Sequence, residues 1–335
     1  MSKTTLNIGI LGAARIVPNA LTKPANLLDN VQVRSIAARD YSKAKSFAEE
    51  HGIPVVMNTY SEVIADPQID AIYIPLPNSL HAEWSIKAMQ AGKHVLCEKP
   101  IANNKEDAQR ILDVSRETGK FCVEAFHYVY HPLMHRIQAI LDSGVLGEIT
   151  HFESEFSSPT IKDNNIRFDY DLGGGAIMDM GCYPINILRR LSGQEPSVDN
   201  AEAILLAGNP QIDQSMRADF NFPSGASGTV RCAMRGNMDK KISLKVVGAL
   251  GELEVDNPFL PHLYHQITVN TIEESWTEKL DGDDIQSTYY YQLRDFAEAI
   301  LNNDLKTPTG LEDGIKNMEI IDQVYTKAGL KQRGT

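Results

Sequence analysis

Glu98, Lys99 and Pro100 follow directly on the apolar run Val95-Leu96-Cys97, so a strand that reads as buried ends by handing a lysine to a proline. Proline cannot continue a strand ladder and restricts the residue before it, which holds Lys99 in an extended or turn geometry. An ammonium fixed at the carboxyl end of a central strand can polarise a bound oxygen; a Glu98-Lys99 ion pair that merely closes the strand is the plainer alternative. A second constellation stands in "LGGGAIMDMGCYPINILRRL", where Asp179 and Tyr183 are four residues apart on an expected helix and so share a face. The three glycines at 173 to 175 release a loop into that helix, and Pro184 removes a backbone donor just after Tyr183, where it can kink the helix. A phenol, with a reference pKa of about 10, suits proton donation to a ketone. The plainer alternative packs Tyr183 in a core and binds Asp179 to a backbone amide.

The elements that must position these groups change character along the chain. Up to about residue 126, apolar runs ("LNIGILG", "VQVRSIAA", "AIYIPLP", "HVLCE", "FCVEAF") alternate with helical patterns, three of which end in Gly52, Gly92 or Gly119. Strands buried on both faces read as such runs, and glycine suits a left-handed helix cap, so the pattern predicts a doubly wound parallel sheet. From 127 to 335 strand follows strand with turns such as Pro223-Ser224-Gly225 between them, which predicts a second, α+β domain with an open, mostly antiparallel sheet. Two helical segments, 286–302 and 311–328, close the chain.

The first strand and turn, "IGILGAARIVP", place Gly9 and Gly12 ahead of a helix start, where backbone N–H groups of Ala14, Arg15 and Ile16 and the helix dipole can meet a pyrophosphate. The strict G-x-G-x-x-G fingerprint fails, because Ala14 and Val17 stand at the later glycine positions. The second strand ends Ala38-Arg39-Asp40, and the residue types there choose the dinucleotide. A carboxylate at that position accepts from the ribose hydroxyls of NAD, whereas a 2'-phosphate needs a cation. Arg39, with Ser42 and Lys43 close by, favours NADP(H); NAD(H) stays open, with Asp40 either its ribose ligand or a helix cap.

A formal charge of −12 in 335 residues opposes nucleic-acid phosphates and anionic membrane surfaces, so a small-molecule partner is expected and neither of those is. No run of about eighteen apolar residues occurs and no signal-peptide core opens the chain, which points to a cytoplasmic protein. Cys97, Cys122, Cys182 and Cys232 lie far apart and read as buried thiols without a disulfide. His127, His131 and His135 have the spacing of a metal face on a helix, but Pro132 interrupts it, and no metal is expected.

The glycine turn, "YIPLPNSLHAEWSIKAMQAGKHVLCEKPIA" and "LGGGAIMDMGCYPINIL" together resemble the Gfo/Idh/MocA oxidoreductases, nearest to the branch holding dimeric dihydrodiol dehydrogenases and NADP-dependent D-xylose dehydrogenases. The resemblance covers nearly the whole chain. It implies a Rossmann domain followed by an α/β domain that binds substrate and whose open sheet makes a homodimer or homotetramer. It places Glu98 and Lys99 at the nicotinamide ribose, Lys99 also at the substrate oxygen, and Pro75, Pro77, Asn78 and His81 near the nicotinamide. Tyr183, histidine in many members, becomes the proton donor or acceptor, assisted by Lys99, with Asp179 on a substrate hydroxyl. Tyr128, His131 and Arg167 become substrate neighbours. The substrate implied is a sugar, polyol or cyclic diol. A glycosidase that keeps NAD bound for a redox-assisted elimination and a non-catalytic cofactor sensor remain open, and substrate choice is left to loops such as 157–171 and 257–265.

Overall fold

The computed structural model describes residues 4–159, 161–162, 165–236, 239–280, 282 and 285–335, so three positions of the 157–171 loop lie outside the described residues. The chain forms two compact units, residues 1–130 with 287–315 and residues 131–286 with 316–335.

The first unit is built on six parallel strands: β1 (Leu6–Leu11), β2 (Val31–Ala37), β3 (Val55–Val56), β4 (Ala71–Ile74), β5 (His94–Cys97) and β6 (Cys122–Glu124), in the order β3-β2-β1-β4-β5-β6. This is the doubly wound order whose switch point falls between β1 and β4, where the carboxyl ends of the strands form a ligand crevice. The helices are α1 (Lys23–Ala25), α2 (Tyr41–His51), α3 (Tyr60–Ala65), α4 (His81–Gln90) and α5 (Lys105–Thr118). Gly52 and Gly119, at φ +69° and +65°, cap α2 and α5 in the left-handed conformation that the pattern called for.

The first unit also takes in a later segment of the chain. Helix α8 (Thr288–Leu301) and the segment after it belong to the first unit, because Leu293, Phe296 and Ala297 join the core around Ile8, Ile10 and Leu96. Phe296 stacks on Phe121 with centroids 6.1 Å apart, Thr288 hydrogen-bonds His127 at 2.8 Å, and Tyr130 reaches Thr307 and Thr309. An amphipathic helix near the C-terminus carries no local mark of which sheet it will cover.

In the second unit eight strands run β14-β13-β12-β11-β7-β10-β9-β8, antiparallel except for the parallel pair β7 and β10. They are β7 (Ile149–Ser157), β8 (Ser197–Leu206), β9 (Asn209–Asn221), β10 (Ser227–Ala233), β11 (Lys241–Gly248), β12 (Gly251–Asp256), β13 (Gln266–Thr271) and β14 (Ser275–Glu278). The predicted turn joins β9 to β10, with Gly225 at φ +93°. Helices α6 (Pro132–Asp142) and α7 (Cys182–Ser192) belong to this unit, and α9 (Leu311–Lys327) ends in it.

The helix expected over "AIMDMGCYPINIL" begins as a π turn, Ile177–Gly181, and becomes α-helical only at Cys182. Proline at 184 offers no donor to Met180 and its ring crowds that carbonyl; the wider turn relieves both conflicts. Another π turn, Pro18–Thr22, stands ahead of Pro24 for the same reason.

Candidate active site

At the carboxyl edge of the first sheet, Gly12 leaves β1 at φ +108°, a conformation that excludes a side chain, and a Cβ there would stand 3.1 Å from Leu76. Gly9 has a different use. It lies inside β1, where a Cβ would be 2.5 Å from Val63, so its bareness lets α3 pack on the strand and the turn rests on Gly12 alone. Ala14, Arg15 and Ile16 follow in the turn, and the carbonyls of Ala14 and Ile16 accept the first helical N–H groups.

Beyond β2 the open question about Asp40 is answered by its geometry. Its carboxylate N-caps α2, accepting from the amides of Ser42 and Lys43 at 2.9 and 3.3 Å and from the Ser42 hydroxyl at 2.6 Å. The Ser42 hydroxyl bond, then the Lys43 amide, hold this carboxyl below its ordinary pKa. Ser42 is thereby part of the cap, while Arg39 and Lys43 are exposed beside it. Tyr60, which the sequence did not single out, places its hydroxyl 3.9 Å from the Gly12 Cβ position and interacts with Arg39. Burial raises the Tyr60 pKa against the pull of that arginine.

Pro75 and Pro77 follow β4, and Asn78 opens a short helical turn, Asn78–Leu80. Lys99 lies two residues beyond β5, half-buried, in the segment that the cis peptide Lys99–Pro100 continues. Its backbone is braced from several sides. The Glu98 amide donates to Ile74, the Glu98 carboxylate accepts from the Tyr73 hydroxyl at 2.7 Å, and the Ile101 amide donates to Glu124 at 2.8 Å. His81 is buried, with its two ring nitrogens 2.8 Å from the carbonyls of Pro100 and Leu76. The imidazole therefore ties the β4 loop to the β5 loop.

Burial lowers the His81 pKa to about 4, Lys99 adds to that, and together they outweigh the two carbonyls, which favour the cation. Between pH 6.5 and 4 the unfolded chain takes up a proton that native His81 refuses. Its contribution is complete above pH 6.5 and is lost as pH falls towards 4, by about 3 kcal/mol. Urea unfolding should therefore show stability rising with pH across that window, less steeply in His81→Gln; an imidazole titrating near 6.5 in the folded protein would contradict it.

The remaining histidines serve other ends. His131 N-caps α6, its Nδ1 accepting from the Leu133 amide at 3.1 Å, and lies 6.4 Å from His265 between ring centroids. Burial, then His265, lowers its pKa to about 4. His265 accepts from the Leu280 amide through Nε2, so its Nδ1 donates to Pro261. Tyr128 is fully buried, edge-on to Phe126. His131 and Tyr128 are both buried, His131 at the start of α6 and Tyr128 beside Phe126. Among the described residues no group of three or more His, Cys, Asp or Glu could hold a metal, and no helix is long and apolar enough to cross a membrane.

The second unit brings Arg167, Asp179 and Tyr183 onto one folded segment. Asn165 caps the turn Ile166–Phe168, accepting from the Arg167 amide at 3.1 Å and its guanidinium at 3.3 Å. The turn folds back on the glycines so closely that a Cβ on Gly174 would stand 2.5 Å from the Arg167 carbonyl. Arg167 Nε then meets Asp179 Oδ2 at 2.5 Å. Asp179 is an ion-pair partner, not a simple amide cap. Tyr183 is 6 % exposed, its ring tilted against both Phe156 and Phe259 with centroids at 5.5 and 5.3 Å. Those aromatics come from β7 and from the loop after β12, and nothing in the spacing revealed them.

The fold and these glycine-bearing segments define a nicotinamide-type oxidoreductase, and the chain belongs to the Gfo/Idh/MocA oxidoreductase family. Its residues 6–126 match the family's NAD-binding Rossmann fold and residues 134–254 the family's C-terminal domain. Among its relatives is an NADP-dependent D-xylose 1-dehydrogenase of Haloferax volcanii, 32% identical over 96% of both chains. A trans-1,2-dihydrobenzene-1,2-diol dehydrogenase of Xenopus tropicalis is 34% identical over 55% of this chain and 56% of its own. A 3-ketoreductase from Actinomadura kijaniata, solved with NADP and TDP-benzene, superposes with a TM-score of 0.89 at 27% identity, over 96% of this chain and 98% of that one. Variants of that reductase changed at one tyrosine or one lysine are likewise similar.

Proposed function

We propose that the protein is an NADP-dependent oxidoreductase acting at a secondary alcohol or ketone of a sugar, polyol or cyclic diol. One observation carries the reading: the lysine and tyrosine varied in the A. kijaniata reductase are separated along that chain by the same number of residues as Lys99 and Tyr183 here. The residues fit the cofactor as well. The Gly12 turn precedes a helix start whose backbone N–H groups could meet a pyrophosphate, and the capping of α2 engages the Asp40 carboxylate while Arg39 and Lys43 stay exposed for a 2'-phosphate. Pro75, Pro77 and Asn78 would border the nicotinamide. When bound, NADP(H) supplies or accepts the hydride.

In this reading Lys99 polarises the substrate oxygen, and Tyr183 gives it a proton in reduction or takes one in oxidation. The Asp179 carboxylate, oriented by Arg167, accepts from a neighbouring substrate hydroxyl. The protein should be titrated with NADPH and NADH, then offered aldoses, inositols, vicinal diols and keto-sugar nucleotides while reduced cofactor is followed by absorbance. Turnover on a member of the panel supports the reading. Cofactor binding with no turnover anywhere would replace it with a sensor.

Arg39→Ala removes one charge-assisted contact, about 1.5–3 kcal/mol, and should weaken NADPH binding by roughly 10–100-fold while changing NADH binding little. Equal losses for both cofactors in parallel fluorescence titrations would remove Arg39 from the phosphate site.

A further inference from the structure

The π turn that bears Asp179 starts at a buried ion pair far away in sequence. Asp213 lies on β9 opposite Leu205, where the ladder to β8 is irregular, and a bulge of this kind re-aims a side chain. Asp213 Oδ2 accepts the Ile177 amide at 2.8 Å, and Oδ1 accepts from Arg333 Nη2 at 2.8 Å and the Tyr325 hydroxyl at 3.1 Å. Arg333 also donates through Nε to the Gly174 carbonyl at 2.6 Å. Its guanidinium stacks on Tyr325 and Tyr170 at 4.2 and 4.8 Å. Both charged side chains are 0% exposed.

Three features set this pair apart from ordinary packing. Arginine is almost never fully buried, yet Arg333 is wholly enclosed. A buried ion pair adds little net stability, and its best-attested use is to fix one register among several. The pair also grips both sides of the glycine hinge, through the Gly174 carbonyl before it and the Ile177 amide after it. Gly175 between them, at φ +136°, has no room for a side chain: a Cβ would stand 2.3 Å from Asp213 and 2.5 Å from Tyr325.

We infer that Arg333 and Asp213 are positioning residues: the pair sets the register of the turn carrying Asp179 and the helix start carrying Tyr183. Its catalytic consequence rests on the function proposed above. A displacement of about 1 Å in a catalytic group can cost on the order of a hundredfold in rate, so a loosened hinge should act on kcat more than on substrate or cofactor affinity.

The test uses the full chain with Arg333→Met, Arg333→Lys and, as a milder variant that keeps both charges, Tyr325→Phe. Amide exchange should rise about tenfold or more over 176–183 in Arg333→Met, with β10 of the same sheet unchanged, and less in Arg333→Lys, which keeps the charge opposite Asp213. On a substrate the wild type turns over, kcat should fall about tenfold or more with KM within about threefold. If Arg333→Met does not fold, Arg333→Lys and Tyr325→Phe carry the same comparison. Unchanged exchange over 176–183, or faster exchange spread evenly through the second unit, overturns the inference. Local loosening with kcat intact overturns it too. A wild type silent on every substrate counts against the proposed function, while localised exchange then still upholds the anchor.

Discussion

Lys99→Ala should lose turnover by about three orders of magnitude while NADPH binding stays within about tenfold of the wild type. The asymmetry follows from how the lysine is held. The chain around it is braced by the Glu98 amide on Ile74, the Glu98 carboxylate on Tyr73, the His81 imidazole on Pro100 and the Ile101 amide on Glu124. These contacts are made by the residues on either side of Lys99, and the variant should keep them. On the proposed mechanism the variant loses a cation beside the developing alkoxide, and removing one such preorganised electrostatic partner typically costs about 100- to 1,000-fold in rate. Steady-state rates with the substrate found in the panel, alongside an NADPH titration of the same preparation, decide it. Turnover within tenfold of the wild type would remove Lys99 from the chemistry, and a thousandfold loss of NADPH affinity would make it a cofactor anchor instead.

The portion of this site legible in the sequence is the portion built from contiguous signals. β1, β4 and β5 are apolar along their length because both sheet faces are covered, so their carboxyl ends, and with them Gly12, Pro75 and Lys99, could be placed by counting. Asp40 and Arg39 show the limit of that method. The residue types posed the choice between NAD and NADP, but only the bonds from Ser42 and Lys43 to Asp40 showed which side chain is engaged. β3, β13 and β14 escaped notice, the first because two residues form no pattern and the others because polar threonines and glutamates alternate along them. Pro184 marks a disturbance of the helix, but not the π turn, Ile177–Gly181, that precedes it. The hardest to foresee were pairings across long separations: α8 with the first sheet, Phe156 and Phe259 around Tyr183, and Arg333 with Asp213. An arginine near the C-terminus reads as a solvated charge until a buried carboxylate is found opposite it.

Tyr183→Phe should lower kcat by about 100- to 10,000-fold with little change in stability, and the packing explains why this substitution isolates one atom. The ring packs against Phe156 and Phe259, which are stacked on each other at 5.6 Å between centroids, and phenylalanine fills the same space. The aromatic contacts, worth about 0.5–1.5 kcal/mol each, are preserved, so thermal unfolding should move by only a few degrees. Without the hydroxyl the reacting oxygen must exchange its proton with solvent, and general acid-base catalysis of this kind accounts for about the stated factor. The pH dependence separates this role from a merely structural one. If Tyr183 takes the proton in the oxidation direction, as proposed, the wild-type rate should climb with pH and the variant's residual rate should lose that dependence. In the reduction direction the wild type should be fastest where the phenol is protonated, and the variant again flat. NADPH binding measured on the same material should match the wild type. A Tyr183→Phe enzyme that retains the wild-type pH profile at a reduced rate would place the proton transfer on another group, and the Arg167–Asp179 pair would then be the next to vary.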